Sequence, residues 1–178
     1  MNQREKTVWI IRTAVFIALL VVLQAATAPL GNTILTGTLV NALLIVSVMT
    51  CGVMSGAVVA GISPIMAKLL GIGPLWGLIP FIAAGNITLV LVWFFCGNRG
   101  QGAKYSAGIV ATVAAAAAKF CVLYLGIVKV AVPLLLRLPE PQASVISGMF
   151  SLPQLLTALL GGVVALPAIR ALKKTVLK

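Results

Sequence analysis

Acidic side chains are almost missing from this chain. Glu5 and Glu140 are the only two in 178 residues, and there is no histidine. Those shortages remove most hydrolytic chemistry, because nucleophile–base pairs and metal-held catalytic sites need a base or ligand that is not supplied. Cys51, Cys96 and Cys121 have no CxxC or metal-type spacing and read as small hydrophobes. No metal site and no cofactor is expected. Charge of either sign is also scarce, 8% of residues against roughly 25% in an ordinary soluble domain. That is too little to cover a water-facing surface.

What is present is oil. Hydrophobic residues make up 61% of the chain and the mean hydropathy is +1.18. The expectation is an all-α integral membrane bundle of six transmembrane helices forming one domain over residues 1–178. The formal charge of +11 would suggest nucleic acid in a soluble protein. Here the basic residues cluster at helix ends, where they set topology and meet anionic lipid headgroups, so no nucleic-acid partner is expected. Arg4 and Lys6, the run from Ala14 to Leu23 and Ala26-Thr27-Ala28 mimic a signal peptide. Pro29 disfavours cleavage there and the apolar run is long enough to span, so it reads as a retained first helix.

The spans are expected at about 8–27, 35–51, 54–70, 75–96, 104–128 and 146–168. Pro29-Leu30-Gly31, Gly52, and Gly71 to Pro74 punctuate the first four, and 97–102 is a polar loop. Lys129 to Gln142 is apolar but proline-rich and reads as a folded loop or half-helix. Six spans place both termini on one side. Arg4, Lys6, Arg12, Arg99, Lys104, Arg170, Lys173, Lys174 and Lys178 then face Lys129 and Arg137 across the membrane. Cytoplasmic loops collect Lys and Arg, so both termini are expected to be cytoplasmic.

Lys68 and Lys119 fall inside spans. A cation at the bilayer centre costs about 2.5–3.5 kcal/mol on insertion scales, which makes such residues functional candidates. Lys119 lies some fifteen residues into the fifth span, roughly 22 Å along its axis, and Lys68 is similarly deep in the third. Gln24, Asn41, Asn86 and Gln154 add one polar side chain from each remaining span. Together the six point to a cavity open to the outside and closed below by small residues. Each has a plainer reading: Lys68 can snorkel to the headgroups, and the amides can be interhelical glue. Lys119 resists it, since no carboxylate lies in any span to pair with it, and an anionic ligand would supply the partner. Trp76, directly after the turn at Gly71–Leu75, is either an interfacial belt residue or a stacking lid for a ring-bearing ligand.

Ala14 and Ala18 form an AxxxA pair in the first span, a spacing that lets another helix approach closely. With that pair, the stretches Thr36-Gly37-Thr38-Leu39-Val40-Asn41, Met49-Thr50-Cys51-Gly52 and Gly71-Ile72-Gly73-Pro74-Leu75-Trp76 through Ala84-Gly85-Asn86 complete a pattern. The sequence resembles the substrate-binding S components of energy-coupling-factor (ECF) vitamin transporters, among their small members of unassigned ligand. The resemblance implies capture of a vitamin-like or acidic micronutrient on the outer side of a bacterial-type plasma membrane. It also implies delivery by toppling, powered by a transmembrane coupling subunit with two cytoplasmic ATPases. Ala14 and Ala18 would face that coupling subunit, and the loops after the first, third and fifth spans would lid the site. The chain has no GxxxxGK[ST] phosphate loop, so ATP hydrolysis would come from partners. The N-terminal histidine arrangement of nickel or cobalt members is absent, which argues against metal cargo.

Three other classes compete. A stand-alone proton-coupled carrier usually needs a membrane-embedded carboxylate or histidine, and this chain has neither. An intramembrane enzyme would need a dyad such as Ser63–Lys68, whose five-residue offset misaligns the two side chains on a helix. A structural partner in an envelope complex would bind no small molecule and would leave the polar convergence without a role. Not an enzyme is the expectation.

Overall fold

The computed structural model describes residues 2–73, 75–97 and 105–175, with the side chains of 105 and 173–175 left aside. Arg99, Lys104 and Lys178, and the side chains of Lys173 and Lys174, on which part of the topology argument rests, therefore lie outside the described residues, as does Pro74. Among the described residues the fold is all helical. Helix α1 runs Gln3–Thr27, α2 Thr33–Cys51, α3 Val53–Leu69, α4 Ile79–Cys96, α5 Tyr105–Leu123, α6 Glu140–Met149 and α7 Leu152–Thr175.

Local chemistry explains where the helices start and turn. Asn2 and Glu5 form a capping box at α1, Asn2 Oδ1 accepting from Arg4 N–H and Glu5 accepting from Asn2 N–H. After α1 the chain makes a 3₁₀ turn, Ala28–Leu30, and reverses at Gly31, whose φ of 62° is left-handed. Asn32 then caps α2 by accepting from the N–H groups of Ile34 and Leu35. Gly52, at φ 92°, joins α2 to α3 in one residue.

Five helical stretches are apolar and long enough to cross a bilayer. Helix α3, with 17 residues, rises about 26 Å and sits at the short end of the spanning range. Two boundaries differ from expectation. Helix α5 does not stop near 128 but continues as a wider π-helix, Tyr124–Leu136, ending at Arg137 in left-handed conformation. The stretch expected from 146 is divided: Ile146–Met149 belong to the short α6, and the long helix starts at Leu152. Pro153 is the reason. Without an N–H it cannot continue α6, but it fits the first turn of a new helix, where that donor would go unused.

The long helix α2 is the centre of the bundle, packed against α1, α3, α4 and α7. Leu44, Ile45 and Val48 on it are fully buried. Helix α7 approaches it closely because Gly161 leaves room: a Cβ there would come 2.6 Å from Asn41 Cβ. A second apolar cluster, Leu78, Leu123, Ile127, Ile146 and Phe150 among it, joins the Trp76–Leu78 turn, the π-helix and α6. That cluster sits over the end of the bundle where the polar side chains gather.

Candidate functional site

Lys119 is the hub. Its side chain is 4% exposed, and Nζ donates to Asn41 Oδ1 at 2.6 Å and to Asn86 Oδ1 at 2.7 Å. Three helices, α5, α2 and α4, thus meet through one ammonium group. Asn41 is held from its other side, its Nδ2 donating to Thr157 Oγ1 at 3.3 Å, while Thr157 donates to the Gln154 carbonyl. These bonds fix the orientation of the Asn41 amide, since a flip would set its N–H₂ against the lysine. Charge-assisted bonds of this length are stronger than neutral ones, so the cluster is stiff.

Around the hub lies a cavity of about 160 Å³. Gln24, Asn41, Lys68, Asn86, Lys119 and Gln154 all line it, one from each of α1 to α5 and α7. The apolar part of the wall includes Val40, Pro64, Ile79 and Ile82, with Met149 and Phe150 from the end of α6 and Leu75 from the turn before α4. Gln24 is buried, and its Nε2 makes a long 3.4 Å bond to the Ser63 carbonyl. Lys68 is half-buried and donates to the Gly73 carbonyl at 3.3 Å, tying its side chain to the loop that follows α3. Gln154 donates to the Met149 carbonyl at 3.3 Å, across the break between α6 and α7. The two acids are remote from this group in the chain and both are exposed.

Trp76 is not part of the cavity wall. It is 58% exposed at the start of the turn before α4, and its neighbours Leu75 and Ile79 reach the cavity instead. Of the three loops expected as lids, the one after α3 contributes Ile72, Gly73 and Leu75, and α6 contributes Met149 and Phe150. The loop after α1 does not line the cavity. Ser63 also reaches the wall, while Lys68 donates to the backbone carbonyl of Gly73.

Sequence reasoning missed Thr157 and Gly161, which position Asn41. The signals were present: Thr157 lies three residues after Gln154 and so shares its helix face, and Gly161-Gly162 is a close-approach pair in an apolar helix. Near the middle of α1, Ala14 and Ala18 face outward, flanked by the exposed Ile11, Val15, Leu19 and Val22. Next to Ala14, Thr13 on the buried face shares a hydrogen bond of 2.7 Å with Ser55 that locks α1 to α3.

A family model described as ECF transporter, substrate-specific component matches residues 9–174. The chain belongs to that family. No curated protein and no solved structure matches the subunit. As a member it is a substrate-binding subunit of a membrane transporter and not an enzyme, and its kind pairs with coupling and ATPase modules.

Proposed function

We propose that this S component captures a small acidic, vitamin-like micronutrient in the cavity around Lys119 and hands it inward with an ATPase-powered coupling complex. The observation that carries the reading is the buried lysine. Its charge is met by two neutral amide oxygens and, among the described residues, by no carboxylate. A buried ammonium held only by dipoles gains most from an anion beside it. The ligand's acidic group is that anion.

The orientation follows from charge. Arg4, Lys6 and Arg12 stand at the start of α1 and Arg170 near the end of α7, against Lys129 and Arg137 beyond the cavity. The positive-inside rule then puts both termini in the cytoplasm and the cavity in the outer half of a bacterial-type plasma membrane. Ala14 and Ala18 lie near the middle of α1 on a lipid-facing stripe, where the transmembrane coupling subunit docks and brings two cytoplasmic ATPases. Small residues on such a stripe let the helices approach closely enough for dispersion contacts to hold them. Trp76 serves as an interfacial anchor rather than a stacking lid.

Thermal stabilisation of the detergent-purified chain against vitamins and small organic acids tests the proposal. One acidic compound that raises the melting temperature at low micromolar concentration is the expected result. Silence across a broad panel would return the chain to a structural role.

A further inference from the structure

A second pocket lies at the opposite end of the bundle from Lys119, between the first turns of α1 and the joint where α2 passes into α3. Arg4, Trp9 and Arg12 line it from α1, and Cys51 lines it from the end of α2. Glu5 also stands in the wall, but one of its carboxylate oxygens accepts from the Asn2 N–H of the helix cap. Two guanidinium groups against one carboxylate leave the pocket positive. Among the described residues neither arginine side chain has an ion-pair or hydrogen-bond partner.

The spacing on α1 brings these groups to one face. Arg4, Val8 and Arg12 follow one another at steps of four residues. Arg12 is about 12 Å along the axis from Arg4 and about 6 Å past Val8, where the first span is expected to begin. Side chains on a helix tilt toward its N-terminus, so Arg12 leans toward Arg4 and the membrane surface. The same face continues, at steps of three and four, through the exposed Val15, Leu19 and Val22. A positive pocket thus opens directly onto an oily stripe.

Topology alone accounts for Arg4 and Lys6, which flank the span. Arg12 lies inside it, where a cation is costly unless something meets its charge. An anion at headgroup level would do so. Guanidinium forks match phosphate oxygens, and an indole such as Trp9 is at home at that depth. A soluble phosphate would use the arginines but not the stripe, whereas a lipid uses both.

We infer that this pocket binds the phosphate of one anionic phospholipid, gripped by Arg4 and Arg12 beside Trp9, with the acyl chains along Val15, Leu19 and Val22. Basic pockets between membrane helices suit such headgroups. In the free subunit the acyl chains fill the stripe, and they give way where a coupling subunit docks. A zwitterionic headgroup gains less, because its ammonium meets two arginines and only the cap-held Glu5. The inference does not depend on what the Lys119 cavity captures.

Native mass spectrometry on the full chain in detergent, titrated with lipid, counts bound molecules and reads their affinity. The probes are phosphatidylglycerol, phosphatidylcholine and phosphatidylethanolamine of equal chain length, with glycerophosphoglycerol and inorganic phosphate as headgroup-only competitors. One phosphatidylglycerol is expected to bind most tightly. Arg12→Gln should weaken it at least tenfold, the loss of a hydrogen bond between charged groups, and Arg4→Gln should act in the same direction. Lys6→Gln removes the same charge from the same end of α1 but outside the pocket, and should cost clearly less. Both arginines are exposed, so the melting temperature of the lipid-free variants should match wild type and exclude a folding defect. Equal losses for Arg12→Gln and Lys6→Gln would reduce the binding to diffuse attraction and overturn the site. Zwitterionic lipids binding as tightly as phosphatidylglycerol, or no lipid retained at all, would also overturn it. Displacement of the lipid by inorganic phosphate or glycerophosphoglycerol at equal concentration would make this a soluble-anion site and refute the lipid assignment.

Discussion

Replacing Lys119 with Met tests the centre of the site with little change in volume. In the wild-type chain one ammonium satisfies Asn41 Oδ1 and Asn86 Oδ1, both on side chains no more than 3% exposed. Lys119→Met orphans both oxygens, at about 1–3 kcal/mol each. It also removes a charge whose desolvation costs several kcal/mol. The two effects oppose each other and are of similar size, so the free chain should keep its fold with only a small change in melting temperature. Binding has no such compensation. A hydrogen bond to a charged group contributes about 1.5–3 kcal/mol, so the affinity for an acidic ligand should fall roughly 10- to 150-fold. Isothermal titration on the purified variant, with the melting temperature as fold control, reads both numbers. A neutral ester or amide of the same ligand should lose far less. If Lys119→Met binds the acid within about twofold of wild type, the lysine is not the counter-ion and the polar hub is structural.

Two further perturbations probe the surroundings of that hub. Replacing Ala14 and Ala18 together with Leu adds bulk to the exposed stripe of α1 without touching the cavity. Overpacking of about 1–3 kcal/mol should weaken co-purification with the coupling complex roughly 5- to 150-fold and spare ligand affinity; lost ligand affinity would mean these alanines serve the fold instead. Gly161→Ala places a methyl 2.6 Å from Asn41 Cβ and 3.0 Å from the Thr38 carbonyl, so α2 and α7 must separate. Stability should drop by about 1–3 kcal/mol and ligand affinity with it, since Asn41 and Thr157 shift relative to Lys119. A variant as stable and as tight-binding as wild type would show that the α2–α7 contact does not set the site.

The fit between sequence and structure is uneven for physical reasons. Gln24, Asn41, Lys68, Asn86, Lys119 and Gln154 stand out in the sequence because polar groups are expensive in hydrocarbon, and a chain keeps few without cause. Counting helical rise places them at one end of the bundle, and all six line one cavity. Trp76 was ambiguous for the same kind of reason. An aromatic next to a turn near the membrane surface satisfies both the belt and the lid reading; in the structure Leu75 and Ile79, not Trp76, line the cavity. The division between α6 and α7 was legible in Pro153, whereas the π-helical run beyond Leu123 has no comparable local signal.

From the sequence alone came the solvent in which the protein lives, its helical class and the identity of the polar residues. Each of these is a property of single side chains or of neighbours one turn apart. Tertiary structure alone decided which group bonds to which. Lys119 meets Asn41 across 78 residues and Asn86 across 33, and Asn41 meets Thr157 across 116. No periodicity within a helix encodes those distances. They depend on how closely whole helices pack, and at the α2–α7 crossing that closeness needs the missing Cβ of Gly161.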